Sequence, residues 1–438
     1  MNINKIVFAV LGAIILILIV MLVIQLNKST TPVQSERQSG DFSIWLLWDS
    51  SPKIDAVIRD FKEVHNRYRN VNIWVEFFSD RDVYTQTIVS ALWAGIAPDI
   101  FLLNNREFSP LENFILGLDP TVVAPNTLRR DFHTVFADDL IVKVEDTDVL
   151  KGIPVWFQVP WLYYSRRHFP RSSELQDWWR FTWEMQATAQ RSNIAPIALW
   201  VSSGIWRLTN IVLSFLSQEG AVSLQEVQSW NTRQVFNQFI TLWLLGDRSY
   251  VDITKNKNTT DIENFTSWEV ASILAYPRDI IQIADIWFQS NMLFVSPFPL
   301  SEWKTDAIAI DYDYFVIQKN TWNLSLAEDF ISYLASERWQ RAYIEQFPEQ
   351  LPAHSSVAID LKNQAIHPSF NITQWDFLRD QSELVSFSVG NYGVFESWLR
   401  EILENDAWRD TAFQALKNKI ACYLDKYQNF QNFSRSCR

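Results

Sequence analysis

Glycine is what this chain has least of: 10 occur in 438 residues, roughly 2% against a usual 7%. Loops that cradle phosphate need backbone without Cβ, and neither G-x-G-x-x-G nor G-x-x-x-x-G-K-[ST] occurs. Positive charge is also short: 38 Lys and Arg face 50 Asp and Glu, a formal net charge of -12. No basic stripe exists to neutralise a phosphate backbone, which argues against nucleic acid as a partner. Five His (His65, His133, His168, His354, His367) stand at no ligand spacing, so neither a metal site nor a cofactor is expected. G-x-S-x-G and H-E-x-x-H are absent, which removes the signatures of serine hydrolases and zinc proteases. Only two cysteines occur, Cys422 and Cys437. A disulfide between them would close a loop of about 15 residues, worth about 3 kcal/mol in chain entropy; two buried free thiols are the alternative.

Two things are abundant. The first is an apolar run from Ile6 to Ile24, preceded by Lys5 alone among charged residues. At about 19 residues it matches what a helix needs to cross a bilayer core of about 30 Å. It exits into Gln25-Leu26-Asn27-Lys28-Ser29-Thr30 without a small-residue cleavage pair, and no cysteine follows it to carry a lipid. Residues 1–28 are therefore expected to be an uncleaved transmembrane anchor and 29–40 a flexible linker. The expected location is the cell membrane, single-pass, with the N-terminus inside and the large domain extracytoplasmic. The second abundance is aromatic: 21 Trp, 13 Tyr and 30 Phe. Flat faces with polar edges suit sugar rings, although any one ring more often fills a core.

About 410 residues follow the anchor, more than one core usually organises, so two lobes are expected. An apolar strand, Phe42 to Trp48, precedes a helix with Ile54, Val57, Ile58 and Phe61 at i, i+3, i+4, i+7. A second strand (Val71 to Phe78), a helix (Val83 to Gly95) and a third strand (Asp99 to Leu103) complete a parallel α/β layout. Ligands in such sheets bind beyond the carboxyl ends of the strands. That rule singles out Trp48, Asp49, Asp80, Asn104, Asn105 and Arg106, each of which also has a plain role as cap or turn former. Further on, a helical region is expected near 111–139 and an extended stretch from Ile153 to Tyr164. Helices follow near 174–191, 206–218 and 231–245. Short strands are expected at Ile194–Trp200, Ala271–Ala275, Met292–Val295 and Tyr314–Ile317.

Five segments in order resemble the extracellular solute-binding proteins of ABC importers, in the class of the maltose-binding protein. Ala94-Gly95-Ile96-Ala97-Pro98-Asp99-Ile100-Phe101 is similar to the family's A-G-x-x-P-D-I/V-F. Lys151-Gly152-Ile153-Pro154 through Leu162-Tyr163-Tyr164-Ser165-Arg166 resembles its G-[IY]-P and L-Y-Y-N-K series. Phe181-Thr182-Trp183 echoes a T-W-x-E helix start. Phe265 to Ala271 resembles F-x-x-G-x-x-A-M, with Trp268 in place of the glycine and Ser272 in place of the methionine. Phe315-Val316-Ile317-Gln318-Lys319-Asn320, Leu334-Ala335-Ser336 and Leu351-Pro352-Ala353 resemble the closing K-x-S/T-x-N to L-P-A series. The likeness runs from Phe42 to about Asp360 and is weak beyond.

The resemblance implies an α/β fold of two lobes, the type II arrangement of periplasmic binding proteins, with ligand in the cleft between them. It implies lobe one over 41–139 and 296–335, and lobe two over 140–295 and 336–438. It adds Trp156, Gln158, Tyr164, Tyr276, Arg278 and Tyr392 as candidate ligand contacts, with core packing as the plain role of Trp156 and Tyr164. The implied function is capture of a small solute, a sugar or oligosaccharide, by a monomer that delivers it to an ABC permease without transforming it. Two alternatives stay open: a ligand sensor for a membrane partner, and a membrane-anchored glycoside hydrolase using paired carboxylates.

Overall fold

The structure, a computed structural model, describes residues 41–47, 51–106, 111–169, 178–192, 194, 197, 205–218, 220, 261–285, 293–296, 307–367, 372–373, 383–386 and 418. The expected anchor and linker, the helix near 231–245, Trp48, Asp49, Tyr392, Cys422 and Cys437 lie outside the described residues. Among the described residues no helix is long and apolar enough to cross a membrane.

Strands β1 (Phe42–Leu47), β2 (Ile73–Phe78) and β3 (Ile100–Asn104) run parallel, with β1 between the other two. Strands β1 and β3 are buried along their whole length. A strand covered on both faces reads as a nearly continuous apolar run, as FSIWLL does with Ser43 alone polar. Helix α1 (Ser51–Val64) buries Ile54, Val57, Ile58 and Phe61, the stripe that the spacing foretells. Helix α2 (Arg81–Ala94) starts at Asp80, whose carboxylate accepts the Val83 N–H at 2.9 Å, and stops at Gly95 with φ 72°.

Beyond β3 the sheet turns antiparallel. Strand β11 (Asp311–Ile317) lies between β3 and β6 (Ile153–Gln158), and β12 (Leu351–Pro352) closes the far edge, giving the order β12-β6-β11-β3-β1-β2. Scarce as glycine is, Gly152 is required at the start of β6: a Cβ there would meet Phe315 O at 2.7 Å. Helices α3 (Pro125–Asp131) and α4 (Thr134–Leu140) fill part of the region expected to be helical. They lead into a hairpin of β4 (Ile141–Val144) and β5 (Thr147–Leu150) that the apolar pattern does not reveal. Its turn residues, Glu145 and Asp146, have φ of 49° and 64°.

A second, antiparallel sheet has β7 (Trp161–Ser165) between β8 (Ser272–Ala275) and β9 (Leu293–Ser296). Around it stand α5 (Trp178–Ser192), α6 (Ile205–Gln218), α7 (Asp261–Thr266) and α8 (Ile280–Asp285). Trp268, where the family pattern has glycine, adopts φ 67°, a left-handed conformation unusual for a bulky side chain. A small parallel pair, β10 (Ala307–Ala309) with β13 (Glu383–Val385), sits beside α6 through an Ala309 N–H to Ser214 Oγ bond of 3.1 Å.

The sheets divide the chain differently from the expected lobe boundaries. The stretch from Ile153 to Tyr164 is two strands in two sheets, parted at Val159-Pro160, so residues 140–158 stay with the first sheet. Residues 336–360 do as well. Helices α9 (Leu324–Leu334), α10 (Glu337–Gln346) and α11 (Ser355–Asp360) flank β12, which pairs with β6. The physical tie is on α1: Phe61 meets Phe330 edge-on at 4.9 Å, and Asp60 binds both the Tyr333 hydroxyl and the Arg338 guanidinium.

Candidate functional site

Strand β3 ends at Asn104, β6 ends at Gln158, and β11 begins at Asp311; the register sets Asp311 opposite Gln158 and Asp313 opposite Asn104. Four polar side chains thus share one edge of the first sheet, next to the crossing into the second. Asn104 is the hub. Its amide donates to Asp311 Oδ1 at 2.6 Å, Asp313 Oδ1 at 2.7 Å and Tyr312 O at 3.0 Å, while its oxygen accepts the Arg106 N–H at 3.1 Å. Asn105 holds the same edge through backbone, donating to Ile310 O at 3.3 Å and accepting from Tyr312 N at 3.4 Å.

Three arginines converge on these carboxylates. Arg106 Nε is 3.5 Å from Asp311 Oδ1, and Arg81 Nη2 is 3.4 Å from Asp313 Oδ1. Arg278 comes from the second sheet, with its N–H donating to Gln158 Oε1 at 3.3 Å and its guanidinium over the Tyr276 ring at 5.9 Å. Burial pushes the Asp311 carboxyl up, but Arg106, Arg81 and Arg278 outweigh it and hold it below the ordinary range. Burial pulls the Arg278 guanidinium down, opposed by Asp279, Asp311 and Asp313. Burial and Asp311 push the Tyr276 phenol up, so its hydroxyl stays neutral, bound by the Asn210 amide. Behind this edge Tyr312 donates to Asp139 at 2.9 Å; burial raises that carboxyl to about 6, against the pull of Ser386 and Tyr312.

Of the residues expected from the sequence, Asn104, Asn105, Arg106, Gln158, Tyr276 and Arg278 meet at this seam. Asp80 does not: it is the exposed cap of α2, and its neighbour Arg81 reaches the seam instead. Trp156 is 1% exposed, on a strand held between β11 and β12, and offers no free ring. Tyr164 is buried in the second sheet's core, stacked on Phe294 at 5.9 Å. Beyond Pro160 each residue of β7 moves the chain about 3.3 Å further from the crossing, which takes Tyr164 away from the seam. Arg81, Asp139, Asn210, Asp311 and Asp313 were not anticipated. The Asp311-x-Asp313 alternation on an otherwise apolar strand was the available signal, since one strand face then carries two buried carboxylates.

A separate cavity of about 490 Å³ lies on the first sheet's side, lined in part by Arg130, Asp131, Ser336, Glu337, His354 and Ser356. Its polar groups mostly serve each other, as in the Arg130–Asp131 pair and the His354–Ser356 bond of 2.9 Å.

No protein-family model matches the chain, and no curated protein does. Solved structures do match. The sugar-binding protein MalE from Xanthomonas citri is 16% identical with a TM-score of 0.67, over 90% of this chain and 100% of its own. The maltose–maltodextrin binding protein of Alicyclobacillus acidocaldarius is 15% identical with a TM-score of 0.62, over 87% and 100%. An ABC substrate-binding protein from Listeria monocytogenes, in complex with cycloalternan, is 12% identical with a TM-score of 0.65, over 88% and 99%. At such identities the likeness speaks to architecture, and it covers nearly the whole of each chain. The protein has the two-lobed, mixed α/β type II fold of the substrate-binding proteins of ABC transporters.

Proposed function

We propose that this chain is a membrane-anchored, extracytoplasmic binding protein that captures a sugar or oligosaccharide between its lobes and delivers it to an ABC permease. One observation carries the reading: Asn105, Arg106 and Gln158 from the first sheet meet Tyr276 and Arg278 from the second on a single seam. Amides, guanidinium groups and carboxylates fix sugar hydroxyls, and aromatic faces receive the ring. The fold's neighbours include proteins complexed with cycloalternan and maltotetraose. Binding is favoured over glycoside hydrolysis because Asp311 and Asp313 are each engaged by an arginine and by Asn104, which leaves neither poised as an acid. Ligand entry requires these pairs to part, and hinge motion between the lobes provides for that. The apolar run 6–24 and the linker after it support tethering beside the permease, which keeps the effective concentration high.

A thermal-shift screen of the full chain across oligosaccharides, amino acids and peptides tests the reading. A sugar should raise the melting temperature in proportion to the logarithm of its concentration, and Arg278→Gln should weaken its binding by more than about 1 kcal/mol. A shift from peptides alone would overturn the sugar assignment. No shift from any solute would overturn capture itself.

A further inference from the structure

The end of the first sheet opposite the seam carries a second surface. The chain enters here at Asp41, whose carbonyl accepts from Asn323 Nδ2 at 3.3 Å and whose carboxylate accepts from Asn72 Nδ2 at 3.3 Å. Beside Asn323 stands Trp322, 99% exposed, followed by Leu324 at 43%. From the last turn of α2 comes Trp93 at 73%, and from the turn between α2 and β3 comes Ile96 at 40%. Bonded contacts join the two groups. The Trp93 ring meets Phe114 edge-on at 5.1 Å, Phe114 O accepts from Lys319 N at 2.8 Å, and Thr321 Oγ1 donates to Asp99 at 2.5 Å. Trp93 is therefore presented by the end of a helix and Trp322 by a braced loop.

We propose that this face rests on the lipid bilayer, with Trp93 and Trp322 at the level of the headgroups. The proposal rests on the reading of residues 6–24 as an anchor. The part of the chain before Asp41 names the occupant: 16 residues, 25–40, separate that run from Asp41. A Ser/Thr/Gln-rich linker of that length would span about 20–25 Å on average, which would hold the face around Asp41 nearest the membrane. Tryptophan, apolar in body with one polar N–H, is the side chain enriched at membrane–water interfaces. The net charge of -12 repels anionic lipid, so contact through rings suits this domain better than contact through charge. Parked in this way, the domain turns its seam away from the bilayer, and a permease would have to lift it.

Hydroxyl-radical footprinting of the full chain in neutral phosphatidylcholine vesicles, read by mass spectrometry at single tryptophans, tests the proposal. Trp179 and Trp183, exposed at 67% and 65% on α5, are internal controls. By exposure alone Trp322 and Trp93 should oxidise faster than either control. Lipid contact should reverse that order, slowing them at least about threefold relative to the controls, and the protection should persist as lipid is added in excess. Oxidation in the order of exposure overturns the proposal while the anchor stands, provided the chain still floats with the vesicles. Protection that fades on dilution with lipid assigns the face to a second copy and overturns it too. A chain that fails to float overturns the anchor and this inference together.

Discussion

At the seam end of the six-stranded sheet a neutral amide, Asn104, is surrounded by charge; at the base a charge, Asp99, is surrounded by neutral donors. Asn104 binds Asp311 and Asp313, which in turn engage Arg106 and Arg81. Asp99 accepts from Ser43 N at 2.8 Å, Ser43 Oγ at 3.1 Å, Thr321 Oγ1 at 2.5 Å and Asn323 Nδ2 at 3.3 Å. The base is thereby closed on itself and holds loops to strands. The seam is built of partners that can be exchanged, because an arginine or a carboxylate released from one oxygen can take another. A sheet of this kind carries its fixed joint and its adjustable one at opposite ends of the same strands.

Breaking the seam hub should have the largest effect. Asn104→Leu leaves Asp311 and Asp313 side by side without the amide between them. Urea unfolding should show a loss of about 3–5 kcal/mol, the range for disrupting a buried charged network. A loss below about 1 kcal/mol would mean that the seam behaves as solvated surface.

Asp139 sharpens the comparison through pH. Its folded value of about 6 lies above the ordinary 3.8, so the folded protein holds this proton more tightly than the unfolded chain. Stability from this group is full below about pH 4, falls between pH 4 and 6, and stays low above. Asp139→Asn removes that loss, so the variant should gain on the parent at pH 7 by up to about 3 kcal/mol and be level with it near pH 4. Melting curves across that range decide it; a constant difference would show that Asp139 titrates normally.

The base should respond less. Asp99→Asn keeps one acceptor oxygen but turns an amide donor toward donors, for an expected cost of about 2 kcal/mol, with no change in ligand binding. A change in sugar affinity with this variant would show that the two ends are coupled.

Much of the first sheet was legible in the chain itself. Largely apolar runs named β1 and β3, the spacing of Ile54, Val57, Ile58 and Phe61 named the buried face of α1, and the helix expected from Val83 to Gly95 is α2 within two residues at its start and one at its end, because each is a matter of local periodicity or backbone chemistry. The rule that ligands gather at strand ends also picked out Asn104, Asn105 and Arg106, which the structure brings to one seam. It also picked out Asp80, which the structure places as the cap of α2, since a cap and a ligand contact are the same residue type at the same kind of position.

Which sheet a strand joins was decided only by tertiary structure. Ile153 to Tyr164 is apolar throughout and reads as one segment; pairing with β11 on one side of Pro160 and with β8 and β9 on the other divides it between sheets. Burial of Tyr164 against Phe294 and the return of α9 and α10 to α1 are decisions of the same kind. So is the seam, where Arg81, Asn104 and Asp313 lie more than 200 positions apart at the extreme and meet within hydrogen-bonding distance. Local pattern determines what a segment can be, because its terms involve neighbours in the chain. Its partners are chosen by long-range burial and charge pairing, whose terms exist only once the fold has formed.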